Sequence, residues 1–198
     1  MSSSSEINGA SKALPSGLPD PTIHITTHNT ETGHAQIHSS FKNDWSWLRD
    51  NNVGFNVVYT TSEFPPNLND DADIKAHTEK MSRGEPGLVS PRGTVCRIVD
   101  FAPGCKPLMH RTQSLDYGVV LEGEVEMELD DGSVNLLKRG DFAVQRATKH
   151  AWRNPHPTQW TRMLFVLQDC EPVVVAGKRY KEDLGDGPVG ILKSGNDN

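Results

Sequence analysis

Long apolar runs are missing from this chain of 198 residues. Nowhere do about 18 apolar residues follow one another, so no segment reads as a membrane-spanning helix. The Met-Ser-Ser-Ser-Ser start also lacks the basic and apolar parts of a secretory signal, and the expectation is a soluble, cytoplasmic protein with no membrane partner. Cysteine is scarce. Cys96, Cys105 and Cys170 are odd in number and have no C-x-x-C spacing, which argues against a disulfide framework and a structural zinc site and predicts three reduced thiols. Positive charge is also short: 20 Lys and Arg face 26 Asp and Glu, for a formal net charge of −6. With no extended basic run, nucleic acid is a poor partner.

A chain of this length forms one domain with extra arms by the rule of roughly 150 residues per domain. What is present is a period-two pattern, in which short β-branched and aliphatic runs are punctuated by Gly, Pro, Asn and Asp, the pattern of an all-β sandwich or barrel. Strands are predicted over residues 22–27, 55–61, 94–101, 117–121, 124–129, 133–137, 142–145, 150–153, 162–167 and 172–175. Asp130-Asp131-Gly132 and Leu121-Glu122-Gly123-Glu124 read as hairpin turns joining antiparallel neighbours. Around residues 70–83 a short helix and an ordered loop fit equally well. The acidic run at 69–73 lacks the glycine and closing glutamate of a calcium loop and reads as a solvated helix start. The Ser-, Gly- and Pro-rich residues 1–20 are expected to form a disordered tail, residues 21–90 an arm and strands flanking the barrel, 91–175 the barrel core, and 176–198 an extension whose last part, from Gly185, is also expected to be disordered.

The chemistry lies in two segments. Gly104-Cys-Lys-Pro-Leu-Met-His110-Arg-Thr112-Gln-Ser-Leu-Asp116-Tyr117 is followed, about twenty residues after Gly123, by Gly140 through Gln145, His150, Trp152 and Asn154. Residues two apart on a strand share a face, so His110 pairs with Thr112, and His150 with Trp152 and Asn154. If those faces line a barrel, two imidazoles converge inside it, and with a carboxylate they make what a divalent transition metal wants.

These segments resemble the two motifs of the cupin family. The first keeps its frame as Gly104, five residues, His110, one, Thr112, three, Asp116, six, Gly123, but Thr112 replaces a histidine and Asp116 a glutamate. The second is matched by Gly140, His150 and Asn154, with Gln145 and Ala147 in place of the usual Pro and Gly. The resemblance covers residues 95–168. It implies an antiparallel cupin β-barrel or jelly roll and, through pairing by N-terminal arms, a homodimer. The wording His-Arg-Thr-x-Ser-Leu-Asp-Tyr-Gly-Val-Val-Leu-Glu-Gly further resembles single-domain cupins of fungi encoded beside polyketide synthases and named as oxidoreductases. It implies a tailoring enzyme that takes an aromatic or polyketide-derived substrate.

The altered ligand set leaves His110, His150 and Asp116 to hold one divalent metal, with iron, manganese and zinc all open; no nucleotide cofactor is expected. Thr112, Tyr117, Trp152, Arg97 and Gln145 would shape or polarise the substrate. Without a metal, a His110 or His150 base, with Tyr117 or Thr112 stabilising an oxyanion, would serve a lyase or isomerase by decarboxylation, dehydration or cyclisation. A non-catalytic, ligand-binding cupin is the third reading, with the histidines as satisfied interior polar groups. Arg97 is read either as an anchor for a substrate carboxylate or phenolate or as a partner of Asp100. Trp152 is read as pocket wall or as core, and Trp45 and Trp47 as covering one barrel end or a subunit contact. Arg111 and Arg146, one residue off the ligand face, point outward.

Overall fold

Alternating apolar residues drive the chain into two facing antiparallel sheets. The structure, a computed structural model, describes residues 13–84, 86–185 and 191–196. In chain order the strands are β1 (Ile23–His28), β2 (Ala35–Phe41), β3 (Ser46–Leu48) and β4 (Val53–Thr60), followed by helix α1 (Ala72–Ser82). Next come β5 (Thr94–Phe101), β6 (Ser114–Glu122), β7 (Glu124–Leu129), β8 (Val134–Lys138) and β9 (Phe142–Arg146). The last are β10 (His150–Arg153), β11 (Thr161–Asp169), β12 (Val173–Val175) and β13 (Lys178–Tyr180). A six-stranded sheet in the order β3-β4-β5-β11-β6-β9 faces a three-stranded sheet β10-β7-β8, and β1-β2 and β12-β13 are separate hairpins. No helix among the described residues is long and apolar enough to cross a membrane.

Register aligns the inward side chains in rows. One runs through Val57, Arg97, Phe165, Gly118 and Ala143, and the next through Val95, Leu167, Asp116 and Gln145. Gly118 is needed in the first row, because a Cβ there would lie 2.9 Å from the Phe165 ring. Val125, Leu137 and Trp152 of the smaller sheet close over Val99, Val120 and Met163, so the core sits between the layers. Each buried aliphatic or aromatic side chain contributes about 1.5–3 kcal/mol.

The turn expected at Asp130-Asp131-Gly132 joins β7 to β8 as an antiparallel pair, with Gly132 at φ 83°. The second expected hairpin is corrected. Gly123, at φ 74°, carries the chain from β6 in one sheet to β7 in the other, and these strands do not pair. A glycine followed by a short polar turn marks a change of direction but not which sheet receives the next strand.

The region around 70–83 is helical. Tyr59 donates to Asp73 at 2.6 Å, Thr27 donates to Asp71 at 2.6 Å, and the backbone N–H of Thr60 donates to Nδ1 of the buried His77 at 3.2 Å. The acidic helix start is thus partly engaged by neighbouring strands. All three cysteines are free. Of the tail expected to be disordered, residues 1–12 lie outside the described residues. Residues 13–20 run against the larger sheet, where the Pro19 carbonyl accepts from Arg162 at 2.5 Å and Asp20 accepts from the Trp45 indole at 2.9 Å. Of the disordered end expected from Gly185, residues 186–190, 197 and 198 also lie outside. Residues 191–196 are tied down by hydrogen bonds of Ser194 to Glu182 and Val89 and of Asn196 to Gln113.

Candidate active site

Backbone pairing places the two imidazoles. His110 and His150 face each other as an isolated antiparallel bridge, His110 N–H donating to the His150 carbonyl at 2.9 Å and His150 N–H to the His110 carbonyl at 2.8 Å. Directly opposed residues put their side chains on one face, and the ring centroids are 4.5 Å apart. Each Nδ1 lies 2.9 Å from a backbone carbonyl, Leu108 for His110 and Thr148 for His150. A carbonyl only accepts, so Nδ1 carries the proton in both neutral rings and Nε2 keeps its lone pair. Burial is the main cause that holds both rings below the usual imidazole range; the neighbouring His110 adds to it at His150, which falls to about 3. The pair is therefore neutral at physiological pH.

Both rings line a cavity between the sheets that opens to solvent. Phe55, Val99, Leu88, Phe165 and Leu167 make its apolar wall. Trp152 stands edge-on to His150, centroids 5.6 Å apart, and against Phe165 at 5.4 Å, so it serves both as core and as cavity wall. Arg97, 4% exposed, also lines the cavity; it donates to the Gly87 carbonyl at 2.8 Å and lies 5.4 Å from the Phe55 ring centre. Asp100 is taken by Arg162 in a buried bidentate pair at 2.6 and 2.8 Å, so the alternative partner proposed for Arg97 is engaged elsewhere.

Asp116 lines the same cavity but not in a cluster with the imidazoles. Its Oδ1 accepts from Ser114 Oγ at 2.5 Å. Burial pushes its carboxyl up to about 7, against the Ser114 and Thr112 hydrogen bonds and the Arg97 charge. Among the described residues, no three His, Cys, Asp or Glu side chains are grouped to hold a metal ion. The donor set fits a metal as far as two ring nitrogens, each fixed by a carbonyl on its far side in the manner of metal-binding histidines. It does not bring Asp116 to them as a third.

Other expected site residues lie elsewhere. Tyr117 is corrected: it stands 43% exposed on the outer face of β6, because Asp116 faces inward and successive strand residues alternate. Thr112 is buried outside the cavity lining and donates its hydroxyl proton to Ser114 Oγ at 2.7 Å, whose own proton goes to Asp116, the chain bending at residue 113 before β6 begins. Gln145 faces inward beside Asp116, held by Thr148 and by Met127 Sδ, and does not line the cavity. Asn154, matched to the second motif, is fully buried and donates to the Phe101 and Gln159 carbonyls, a structural clamp. Arg111 and Arg146 line an outer groove, Arg111 stacked at 4.5 Å over Tyr180. Trp45 and Trp47 stack at 5.5 Å over the outer end of the sheet. Sequence reasoning missed Phe55, Phe165, Arg49, Lys106 and Ile191. The first two stand in step with inward Val53 and Met163, a signal that was available; Arg49 follows a three-residue strand too short to announce itself.

A family model for the cupin domain matches residues 97–167. Oryzines biosynthesis cluster protein J of Aspergillus oryzae is 43% identical over 169 residues, 84% of this chain and 93% of its own length. The cupin-domain-containing oxidoreductase fogC of Aspergillus ruber is 40% identical over 171 residues, 85% of this chain and 82% of its own. Among solved structures, KdgF from Halomonas sp. is 17% identical with a TM-score of 0.42, over 65% of this chain and 90% of that one. With its two motifs folded into facing sheets and relatives matched over most of its length, the chain belongs to the cupin family, alongside fungal biosynthesis-cluster proteins and cupin-domain oxidoreductases.

Proposed function

We propose that this protein is a tailoring enzyme of secondary metabolism, an oxidoreductase that takes an aromatic or polyketide-derived small molecule into the cavity between its sheets. The observation that carries the reading is the neutral pair His110 and His150, rings 4.5 Å apart, on the wall of an apolar cavity. The names of the relatives support the class of reaction.

A divalent iron, manganese or zinc ion held by Nε2 of His110 and His150 would supply a Lewis-acidic or redox-active centre. The chain's own groups suit that arrangement. Both Nδ1 protons are tied to carbonyls, so the rings are oriented before any ligand arrives. Their resistance to protonation keeps both lone pairs available. Trp152 and Phe165 would stack on the substrate and exclude water, and Arg97 would polarise an oxygen on it.

A second reading, a metal-free lyase or isomerase, draws support from Asp116 rather than from the imidazoles. Efficient acid–base groups titrate near the working pH. His150, at about 3, is far from it, and Asp116, at about 7, is close. The non-catalytic reading has no such group in its favour.

We also propose a homodimer. An apolar row on the outer face of the larger sheet supports it: Tyr117, Phe142 and Val144 are 43%, 71% and 56% exposed.

Comparative metabolite profiling of a producing host with and without the protein tests the enzyme reading. His150→Ala is expected to reproduce the profile of the deletion. An unchanged product would remove the case for catalysis. Metal analysis of protein purified without chelator, with activity before and after dialysis against one, separates the two enzymatic readings.

A further inference from the structure

Three basic side chains meet at the cavity mouth. Arg49 and Lys106 line both the inner cavity and the open depression outside it, and Lys149 lines the depression. Among the described residues, the acids nearby are Asp50, on the depression, Asp183, held by Lys149 at 2.7 Å, Glu182, which accepts from Ser194 at 2.5 Å, and Asp116, on the inner wall. This rim contrasts with the net charge of −6 on the whole chain. Arg49 donates through Nη1 to the Lys106 carbonyl at 2.5 Å and also hydrogen-bonds the Cys105 thiol, which fixes the guanidinium across the opening and leaves the rest of its five N–H donors for a ligand.

The backbone beneath Arg49 is strained. Arg49, Asp50 and Asn51 follow one another at φ 53°, 53° and 64°, in the left-handed region that disfavours residues with a Cβ. Asn52 closes this turn, its N–H donating to the Leu48 carbonyl and its side chain to the Arg49 carbonyl at 2.7 Å. Strain of this kind persists where surrounding structure enforces it and is concentrated at functional sites. The strained turn delivers a guanidinium, the group best matched to a carboxylate by its paired N–H donors.

We infer that Arg49 is a specificity-determining residue, which recognises an anionic oxygen group, a carboxylate or phenolate, on a ligand whose aromatic body fills the apolar cavity behind it. Lys106 adds to the attraction at the mouth, and His110 lies next to the bound group on the inner side. The inference rests on the reading of the cavity as a small-molecule site.

Calorimetric titration of the whole protein with 2-naphthoate and with its methyl ester, at low ionic strength, tests it. Naphthoate is expected to bind the wild type at least about tenfold more tightly than the ester, a difference of about 1.4 kcal/mol. Arg49→Gln is expected to bring the two within about twofold by weakening naphthoate alone, and Arg49→Lys to retain only the part of the preference that charge alone supplies. Both variants keep the same backbone demand at residue 49, so an unchanged ester affinity certifies the fold of each. Equal binding of acid and ester by the wild type, or a preference that survives Arg49→Gln, overturns the inference and leaves the small-molecule reading standing. Failure of both compounds to bind overturns the two together.

Discussion

A buried carboxyl and a buried imidazole pull the protein's stability in opposite directions with pH. Asp116 is raised to about 7 in the folded state, against about 3.9 for an ordinary aspartate. Between these values the folded protein holds more protons than the unfolded chain, so Asp116 lowers stability as pH climbs from about 4 to about 7. His150 is lowered to about 3, against about 6.5 for a free imidazole. There the unfolded chain holds more protons, and stability falls as pH drops from about 6.5 towards 3. In chelator-treated protein, urea midpoints should show Asp116→Asn gaining stability at pH 7.5 relative to pH 5, and His150→Gln losing less than wild type on acidification. The strained turn makes a second prediction at this scale. Arg49→Gly should raise unfolding stability by about 1 kcal/mol, because glycine accepts a positive φ without a Cβ penalty. The same variant should lose the preference for naphthoate. Activity is thus opposed to stability at one residue.

At the level of elements, the packing of β4 on the aromatic cap turns on one glycine. A Cβ at Gly54 would lie 2.6 Å from the Trp47 ring. Gly54→Ala should therefore displace Trp47, loosen β3 and cost about 1–3 kcal/mol, read as a lower melting temperature with a changed tryptophan spectrum. The strands of the core were legible in sequence as short runs of strand-forming residues between turn signals: β5, β7 and β10 begin and end where those runs do. The missed strands carry weaker signals. β2 has no buried residue along its length, and β3 and β13 are three residues each, too short for a period to emerge. The site was legible to the same degree. The spacing implies that the two imidazoles converge if their strand faces line a barrel, and the structure brings them together. Asp116 and Tyr117, as adjacent strand residues, could never both face the cavity, and alternation alone would have removed Tyr117. The position of Asp116 along its row depends on the register between β6 and β11, which no local pattern encodes.

Across the whole molecule, the end of the chain returns to close the site. Ile191 lines the cavity, Ser194 joins Glu182 at 2.5 Å and Val89 at 3.0 Å, and Asn196 joins Gln113 at 2.9 Å. Gly87 permits this approach, since a Cβ there would meet the Ser194 backbone at 2.8 Å. Removing residues 191–198 should leave the sheet intact by far-ultraviolet circular dichroism and raise binding of a hydrophobic dye several-fold. The exposed apolar row makes a separate prediction: Phe142→Glu should shift a dimer to monomer in size-exclusion chromatography, because a buried unpaired charge is costly at an interface.

The imidazole pair owes its position to main-chain bonds exchanged between residues 110 and 150, not to a web of side chains. Insertions in the connections, as between β7 and β8, can accumulate over evolutionary time without disturbing it. A single residue added within either paired segment would turn one ring to the outside of the wall, since facing alternates with every step. Lineages that diverge from this sequence should therefore either keep both rings together or forfeit the centre in one event, with no graded intermediates between.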